Sequence, residues 1–290
     1  MPIDPRLTAL GYSPVAKPAG RRRRMFISTE GMTATGKTYF QRTMPPPQVC
    51  IDFDRGMEGV AEVDLWGNEI IHKIIEMPDL DIGGVLPTPA ELKLARDGYI
   101  AFKELMHKTL QALDAMGGGT LSVETGGAAY SLAQIARFGQ LGQIGEVPRN
   151  AWDPMKAEFS NIFLEYEQYT SVNLLVTHHQ GAKYGALGEK DLKGYKDIAN
   201  LAQVHLAFER RFRRNQNGAV IRNANGAEEF DLVRKVVKCR QRLSLIGAEF
   251  PVVFLDDDMR ESIGGDFLTV AQAVFPDTTV DDWMPTGLVA

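Results

Sequence analysis

The segment from Gly31 to Thr38 has the clearest chemical potential in the sequence. It reads Gly-Met-Thr-Ala-Thr-Gly-Lys-Thr, which satisfies the pattern G-x-x-x-x-G-K-[ST], and an apolar stretch precedes it. Glycines let the backbone curl until its N–H groups face a phosphate, and the start of a following helix adds partial positive charge there. Lys37 can then reach the β- and γ-phosphates, and the Thr38 hydroxyl can ligate magnesium. The segment predicts a P-loop that binds ATP, or a close relative, with Mg²⁺. The expected nucleotide contacts are Gly31, Thr33, Ala34, Thr35, Gly36, Lys37, Thr38 and Tyr39.

Acidic side chains follow two of the predicted strands and could complete this site. Glu124 ends the strand predicted at 120–123 and is the expected magnesium-side carboxylate, although it could instead cap the next helix. Asp52 and Asp54 lie at the end of the run 49–53 and just past it. Hydrolysis needs a group that orients or deprotonates the attacking water. We expect Asp54 to be that group, whereas Asp52 could cap or hydrogen-bond the P-loop.

Strands that alternate with helices must position these residues. Apolar runs predict strands at 25–29, 49–53, 120–124, 172–177, 204–208, 230–238 and 252–255, and the run 69–75 is either a strand or a hairpin arm. Apolar residues at helical spacing predict helices at 89–116, 126–136 and 153–169. This alternation predicts an α/β fold with a mostly parallel central sheet flanked by helices. We expect an N-terminal arm at 1–24, an ATPase core at 25–255 and an acidic C-terminal tail at 256–290.

Composition excludes several classes of protein. The chain has 290 residues, of which 44% are hydrophobic and 24% charged, as in ordinary globular proteins. It has no apolar run of about 18 residues and no basic start followed by an apolar stretch, so we expect neither a membrane span nor a secretory signal. Cys50 and Cys239 are the only cysteines, which favours a reducing cytoplasm and not a disulfide framework. The net charge of −5 conceals a basic strip at 205–242 and an acidic end at 249–290.

The order of these motifs resembles the RecA/RadA recombinase core, and most of all the small phage-encoded Sak-type single-strand annealing ATPases. The resemblance covers about Met25 to Arg242, and only the P-loop is specific by itself. It implies that Asp54, in the stretch Ile51-Asp52-Phe53-Asp54, is the catalytic acid and that Glu124 is the magnesium-side acid. Asp stands where that family has Glu, which shortens the reach. The resemblance also assigns His178, after the strand 172–177, as a sensor of the γ-phosphate.

The same resemblance implies contacts with DNA and with other copies of the chain. Two DNA-contacting loops correspond to about 137–151 and 180–197, and their basic residues are Arg137, Arg149, Lys183, Lys190, Lys193 and Lys196. Glycines there suit loops that order on a nucleic-acid backbone, although a solvated loop is the alternative. Lys238-Cys239-Arg240 matches a K-x-R pair that reaches a neighbouring subunit's γ-phosphate in relatives, so Lys238 and Arg240 predict a ring or a filament. An exposed basic strand face is the alternative.

Three functions fit this sequence. The first is an ATPase, stimulated by single-stranded DNA, that acts in phage recombination, annealing or replication, in the cytoplasm of the host cell. The second is a motor or assembly factor that acts on protein, and the third is a small-molecule kinase in which Arg210, Arg211, Arg213 and Arg214 form a lid. The acidic end around Asp281 and Asp282 could recruit a protein partner, mimic nucleic acid or serve only as a solubilising tail.

Overall fold

The computed structural model describes residues 23–57, 63–78, 87–139, 149–182, 190–192, 196–223, 225–254, 262–263 and 265–285. Ten strands and six α-helices lie in these ranges. The strands are β1 (Phe26–Gly31), β2 (Gln48–Asp52), β3 (Ile71–Ile74), β4 (Gly119–Glu124), β5 (Val172–Ala182), β6 (Lys190–Leu192), β7 (Val204–Phe212), β8 (Phe230–Cys239), β9 (Glu249–Phe254) and β10 (Ser262–Ile263). The helices are α1 (Lys37–Arg42), α2 (Pro89–Ala115), α3 (Gly126–Phe138), α4 (Arg149–Leu164), α5 (Asp197–Leu201) and α6 (Phe267–Val274).

The strands form one sheet in the order β10-β9-β8-β7-β1-β5-β4-β2-β3, and β6 pairs with β5. Each neighbouring pair from β3 across to β7 is parallel, whereas β8, β9 and β10 extend the sheet antiparallel. The predicted α/β fold class is confirmed. Of the region 69–75, Ile71–Ile74 form a strand parallel to β2, and Glu69 makes an isolated antiparallel bridge to Val63. Since parallel strands end at the same edge, the carboxyl ends of β1, β2, β4 and β5 meet beside the P-loop.

Helices cover both faces of the sheet with apolar side chains. On one face Phe102 of α2 and Phe159 of α4 belong to a buried cluster with Leu174 of β5. On the other face Phe40 of α1 packs with Leu175 of β5. Strand β5 is therefore buried on both faces, as is usual for a central parallel strand. None of the helices in the described ranges is long and apolar enough to span a membrane.

The described C-terminal residues pack on this second face as part of the core. Trp283 is buried in the cluster around α1 and α6, and its ring lies 5.2 Å from that of Phe267 and 5.9 Å from that of Phe275. The backbone N–H of Phe267 donates to Thr43 Oγ1, just after α1, at 2.8 Å. Residues 265–285 are thus held by the core, whereas the sequence suggested a separate tail from residue 256. Asp281 and Asp282 lie in a short 3-10 turn of this packed segment.

Strands β7 and β8 continue past the end of β1 as a paired extension, in which β8 also pairs with β9 at Leu232 and Val233. Residues 204–208 of β7 pair with both β1 and β8, but residues 209–212 pair with β8 alone. We call residues 209–212 and 230–233 the ribbon. Because β1 runs directly into the P-loop and β7 is its neighbour, the ribbon lies beside the P-loop.

Candidate nucleotide site

The P-loop is tightly packed against β7. A Cβ atom at Gly31 would lie 2.6 Å from Thr35 Oγ1 and 2.9 Å from the Phe208 carbonyl oxygen, so this position requires glycine. Gly36 has φ of 87°, in the left-handed region that glycine adopts without strain. The Lys37 ammonium donates to the carbonyl oxygens of Gly31 and Met32, each at 3.0 Å, which places it across the loop.

The two aspartates after β2 have different surroundings. Asp52 is fully buried, and its carboxylate accepts hydrogen bonds from the backbone N–H groups of Asp54 and Met57, both at 3.2 Å. Asp52 therefore holds the turn that follows β2 and does not bond the P-loop. Asp54 projects from this turn, and its Oδ2 lies 3.3 Å from His179 Nε2. The hydrogen bond from His179 is the main reason that the pKa of Asp54 lies below its usual value.

Glu124 ends β4 in the protein interior. Its residue is 3% exposed, and its Oε2 has no hydrogen-bond partner among the described residues. The pKa of Glu124 is raised to about 7, chiefly by burial and also by the charge of Asp54, although the Thr177 hydroxyl, Lys37 and His179 act in the opposite direction. It does not cap α3, because the N-cap is Thr125, whose side chain accepts from the Ala128 N–H.

Lys37 is the cation that faces these carboxylates. Burial lowers the pKa of Lys37, and the negative charges of Glu124 and Asp54 oppose that shift. The Lys37 ammonium thus lies near two acidic groups, one at the end of β4 and one in the turn that follows β2. An ammonium group beside two carboxyl groups is the combination that can hold a phosphate together with the metal ion that accompanies it.

The two adjacent histidines within β5, His178 and His179, point to opposite faces of the sheet. His178 is fully buried, and the first residue of α3 packs on it so closely that a Cβ at Gly126 would lie 2.6 Å from its Cε1. Burial lowers the pKa of His178 to about 3. His179 faces the cleft and contacts Asp54. The sequence assigned the sensor role to His178, but the structure places His179 beside the acid.

These residues line one cleft of about 630 Å³. At one end its wall contains Lys37, Thr38, Asp54, Glu124 and His179. At the other end, on the side of β1 that carries β7 and β8, it is lined by Tyr39 and Arg42 from later in α1 and by the ribbon. Sequence reasoning identified the first group except for His179. It considered Arg210 only as part of a kinase lid, and it missed Phe230 and Leu232.

The residues of this cleft fit Mg²⁺ bound with a nucleotide. In the described ranges, no three His, Cys, Asp or Glu side chains gather as a metal site of protein ligands alone. Mg²⁺ is usually held by one or two protein oxygens together with phosphates and waters. Thr38 and the buried carboxylate of Glu124, with its unpartnered Oε2, supply that kind of donor set.

Lys238 and Arg240 lie at the opposite end of β8 from the cleft. Lys238 Nζ donates to the carbonyl oxygens of Ala199 and Ala202 at 3.0 Å, and both Lys238 and Arg240 donate to that of Asn200. These acceptors lie at the C-terminal end of α5, where carbonyl groups lack partners within the helix. The two cations therefore bind the end of α5 and do not contact the nucleotide site of their own chain.

Most of the residues expected to bind DNA fall at the edges of the described structure. Arg137 lies in the last turn of α3, and Lys196 directly precedes α5. Arg149 begins α4 and Lys190 begins β6, but their side chains lie outside the described part. Lys183 and Lys193 lie outside the described residues altogether.

The arginines of the suggested kinase lid are mostly engaged elsewhere. Arg211 pairs with Glu249 and Glu209, and Arg213 pairs with Asp231 and Glu229. Arg214 donates to the Gly218 carbonyl oxygen. Arg210 alone of the four lines the cleft.

No family model matches the sequence, and no curated protein matches it. Among solved structures, the RadB recombinase is similar with a TM-score of 0.40 and 11% identity, over 85% of this chain and 92% of that one. An ATPase from the type III secretion system of pathogenic bacteria is similar with a TM-score of 0.39 and 9% identity. That match covers 67% of this chain and 52% of the ATPase, so this chain spans about half of its length. At such low similarity neither protein supports an argument about this one.

Proposed function

We propose that the chain is a RecA-like ATPase that binds ATP with Mg²⁺ in this cleft and hydrolyses it. The observation that supports the proposal most strongly is the meeting of Lys37, Asp54 and Glu124 around one cleft. They come from the ends of three parallel strands or the loops that follow them, and the loop with Lys37 fits the phosphate-binding pattern in full. Lysine, threonine and carboxylate are the groups that a bound triphosphate and its metal require.

Each residue has a distinct role in this proposal. The P-loop glycines and Lys37 hold the phosphates, and Thr38 and Glu124 hold Mg²⁺ directly or through water. Bound Mg²⁺ neutralises charge on the phosphate oxygens. Asp54 is the general base: the water oxygen bonds to the γ-phosphorus, the bond to the β–γ bridging oxygen breaks, and the water proton passes to the Asp54 carboxylate. His179 is a positioning residue that orients Asp54 and keeps it ionised.

A finer part of the proposal is that turnover acts on single-stranded DNA in phage recombination, annealing or replication, as in Sak-type proteins. The supporting feature is the chain path at β5. His179 contacts Asp54, and the next residue, Gln180, begins the pairing of β5 with β6 in the 180–197 region. A change at the cleft can thus be passed directly to the second candidate DNA loop.

Assembly into a ring or a filament belongs to the same proposal. Lys238 and Arg240 would reach a neighbouring copy's γ-phosphate only by giving up the carbonyl groups of α5 that they bind. Such an exchange would make hydrolysis depend on assembly.

ATP hydrolysis measured with and without single-stranded DNA tests this function. We expect stimulation by DNA, complete loss of activity in Lys37→Ala, and loss of stimulation alone in a variant with Lys190→Ala and Lys193→Ala. The matched control is Lys93→Ala with Lys108→Ala, which removes two exposed lysines from α2. A hydrolysis rate that is the same with and without DNA would favour an ATPase that acts on protein. Phosphate transfer to a nucleoside or a sugar would favour a kinase.

A further inference from the structure

We propose that the ribbon end of the cleft is a nucleobase-binding surface, formed by Phe230, Arg210 and Leu232, that holds the base by stacking and apolar contact. This inference depends on the proposed function, because the base belongs to the nucleotide whose phosphates bind at Lys37. It identifies the part of the site that distinguishes a nucleotide from its phosphate chain alone. We call these three residues the base platform.

The base platform is ordered by contacts within the chain. The Arg210 guanidinium lies over the Phe230 ring, with its Cζ 4.5 Å from the ring centroid. Its Nε and Nη2 donate to the P-loop carbonyl oxygen of Ala34 at 3.2 and 2.7 Å. Arg210 thereby ties the ribbon to the loop that binds the phosphates. A ligand bound at Lys37 therefore finds a pre-ordered aromatic and cationic surface in the same cleft.

The part of α1 that lines this end of the cleft is also aromatic and cationic. Tyr39 and Arg42 lie three residues apart on α1, so their side chains occupy neighbouring positions on one helix face. The Arg42 Cζ lies 5.9 Å from the centroid of the Tyr39 ring, and the Arg42 Nε donates to the Val63 carbonyl oxygen at 2.8 Å. Flat π-systems bind to aromatic rings and guanidinium planes with little dependence on their edge groups.

The composition of this end of the cleft predicts weak discrimination between bases. Its described lining is Tyr39, Arg42, Arg210, Phe230 and Leu232, without a carboxylate or a carboxamide. Selective binding of a base needs donors and acceptors matched to its edge, and the nitrogens of Arg210 that bind Ala34 are already used. The cleft volume lies within the range of about 300–1,000 Å³ that is typical of sites for whole small ligands. We expect the platform to accept adenine and guanine alike.

Calorimetric titration with the magnesium complexes of ATP, GTP and inorganic tripolyphosphate tests the platform. Stacking of one base contributes about 1–3 kcal/mol, so Phe230→Ala should weaken ATP and GTP binding by roughly tenfold. Tripolyphosphate binding should not change, because it uses only the P-loop end. Phe230→Tyr should restore nucleotide binding.

Phe212→Ala is the matched control. Phe212 pairs directly with Phe230 across the ribbon and is 43% exposed, but it lines a neighbouring groove and not the nucleotide cleft. We expect no change in any of the three affinities. An equal loss of tripolyphosphate and ATP binding in Phe230→Ala would overturn the platform, and so would a preference between ATP and GTP of more than about a hundredfold. A wild-type chain that binds none of the three would instead overturn the proposed function.

Discussion

Glu124 is a residue whose proposed role in the site lowers the stability of the protein. Its carboxyl group is buried at the end of β4, with one oxygen unpartnered among the described residues. Burial raises its pKa from 4.5 to about 7. As the pH rises through this interval the unfolded chain loses the proton first, so the free energy of unfolding falls. The stabilising effect of the protonated form is complete below pH 4.5 and is lost above pH 7.

Glu124→Gln should therefore raise stability while it abolishes hydrolysis. A neutral amide of the same shape removes the buried charge, so we expect the free energy of unfolding at pH 8 to rise by about 1–3 kcal/mol. The pH dependence between 4.5 and 7 should flatten. Urea unfolding at several pH values measures both effects. Glu104→Gln, an exposed glutamate on α2, is the control and should change stability by less than about 0.5 kcal/mol.

His179 sets the ionisation of the proposed base. Its hydrogen bond to Asp54 is the main cause that lowers the pKa of Asp54. In His179→Ala the pKa of Asp54 should rise, so the acid limb of the hydrolysis–pH profile should move to higher pH. The rate should also fall, by about tenfold or more. The pH profile of ATP hydrolysis measures both changes, and an acid limb that stays at its wild-type pH would contradict this role.

At the scale of elements, the sequence indicates which segments are strands but not which face each residue occupies. The run 172–177 is apolar throughout because β5 is covered on both faces, so alternation gives no sign of direction. For this reason His178 and His179 could not be told apart from sequence. The P-loop could be predicted from the sequence because it matches a motif. Asp54 and Glu124 could be predicted because they lie at or just past the ends of recognisable strands. The place of Phe230 in the cleft could not be predicted, and Arg210 was considered only as part of a kinase lid, because both reach the cleft through the pairing of β1 with the sequence-distant β7.

Two glycines, one at the start of α3 and one within α2, test how closely these helices are packed. A Cβ at Gly126 would lie 2.6 Å from His178 Cε1 and 2.7 Å from Val176 Cγ1, so Gly126→Ala should cost about 1–3 kcal/mol through overpacking. At Gly98, within α2, the nearest atoms would be at 3.5 Å. Gly98→Ala should therefore stabilise the protein by roughly 0.5–1 kcal/mol through helix propensity. Thermal unfolding of both variants shows whether each substitution raises or lowers stability. Equal changes in stability would contradict the packing described.

At the scale of the whole molecule, the C-terminal segment is joined to the element that positions the P-loop lysine. Trp283 packs with Phe267, and the Phe267 N–H bonds Thr43 just after α1. The sequence drew attention to the acidic residues of this segment, but its structural role lies in the apolar residues between them. Composition alone emphasises charge, whereas burial of one tryptophan dominates the energetics.

Trp283→Ala should destabilise the entire fold by about 3–5 kcal/mol. Because the segment contacts the end of α1, nucleotide binding should weaken near the unfolding midpoint as well. Val280→Ala is the control, since Val280 lies in the same turn but is 37% exposed, and it should cost no more than about 1 kcal/mol. Denaturant unfolding of both variants is monitored by far-UV circular dichroism, because this signal does not depend on the tryptophan that is removed. A loss in Trp283→Ala no larger than in Val280→Ala would show that the segment is a detachable tail.

The most direct test of the central claim is single-turnover hydrolysis of Mg-ATP by the wild-type chain and by Asp54→Asn, with single-stranded DNA present and ATP binding measured in parallel. We expect both proteins to bind ATP, because Asp54 does not hold the phosphates, and we expect the cleavage rate of Asp54→Asn to fall by about 10²–10⁴-fold. Cleavage at the wild-type rate in Asp54→Asn would contradict the assignment of Asp54 as the general base that acts in this cleft.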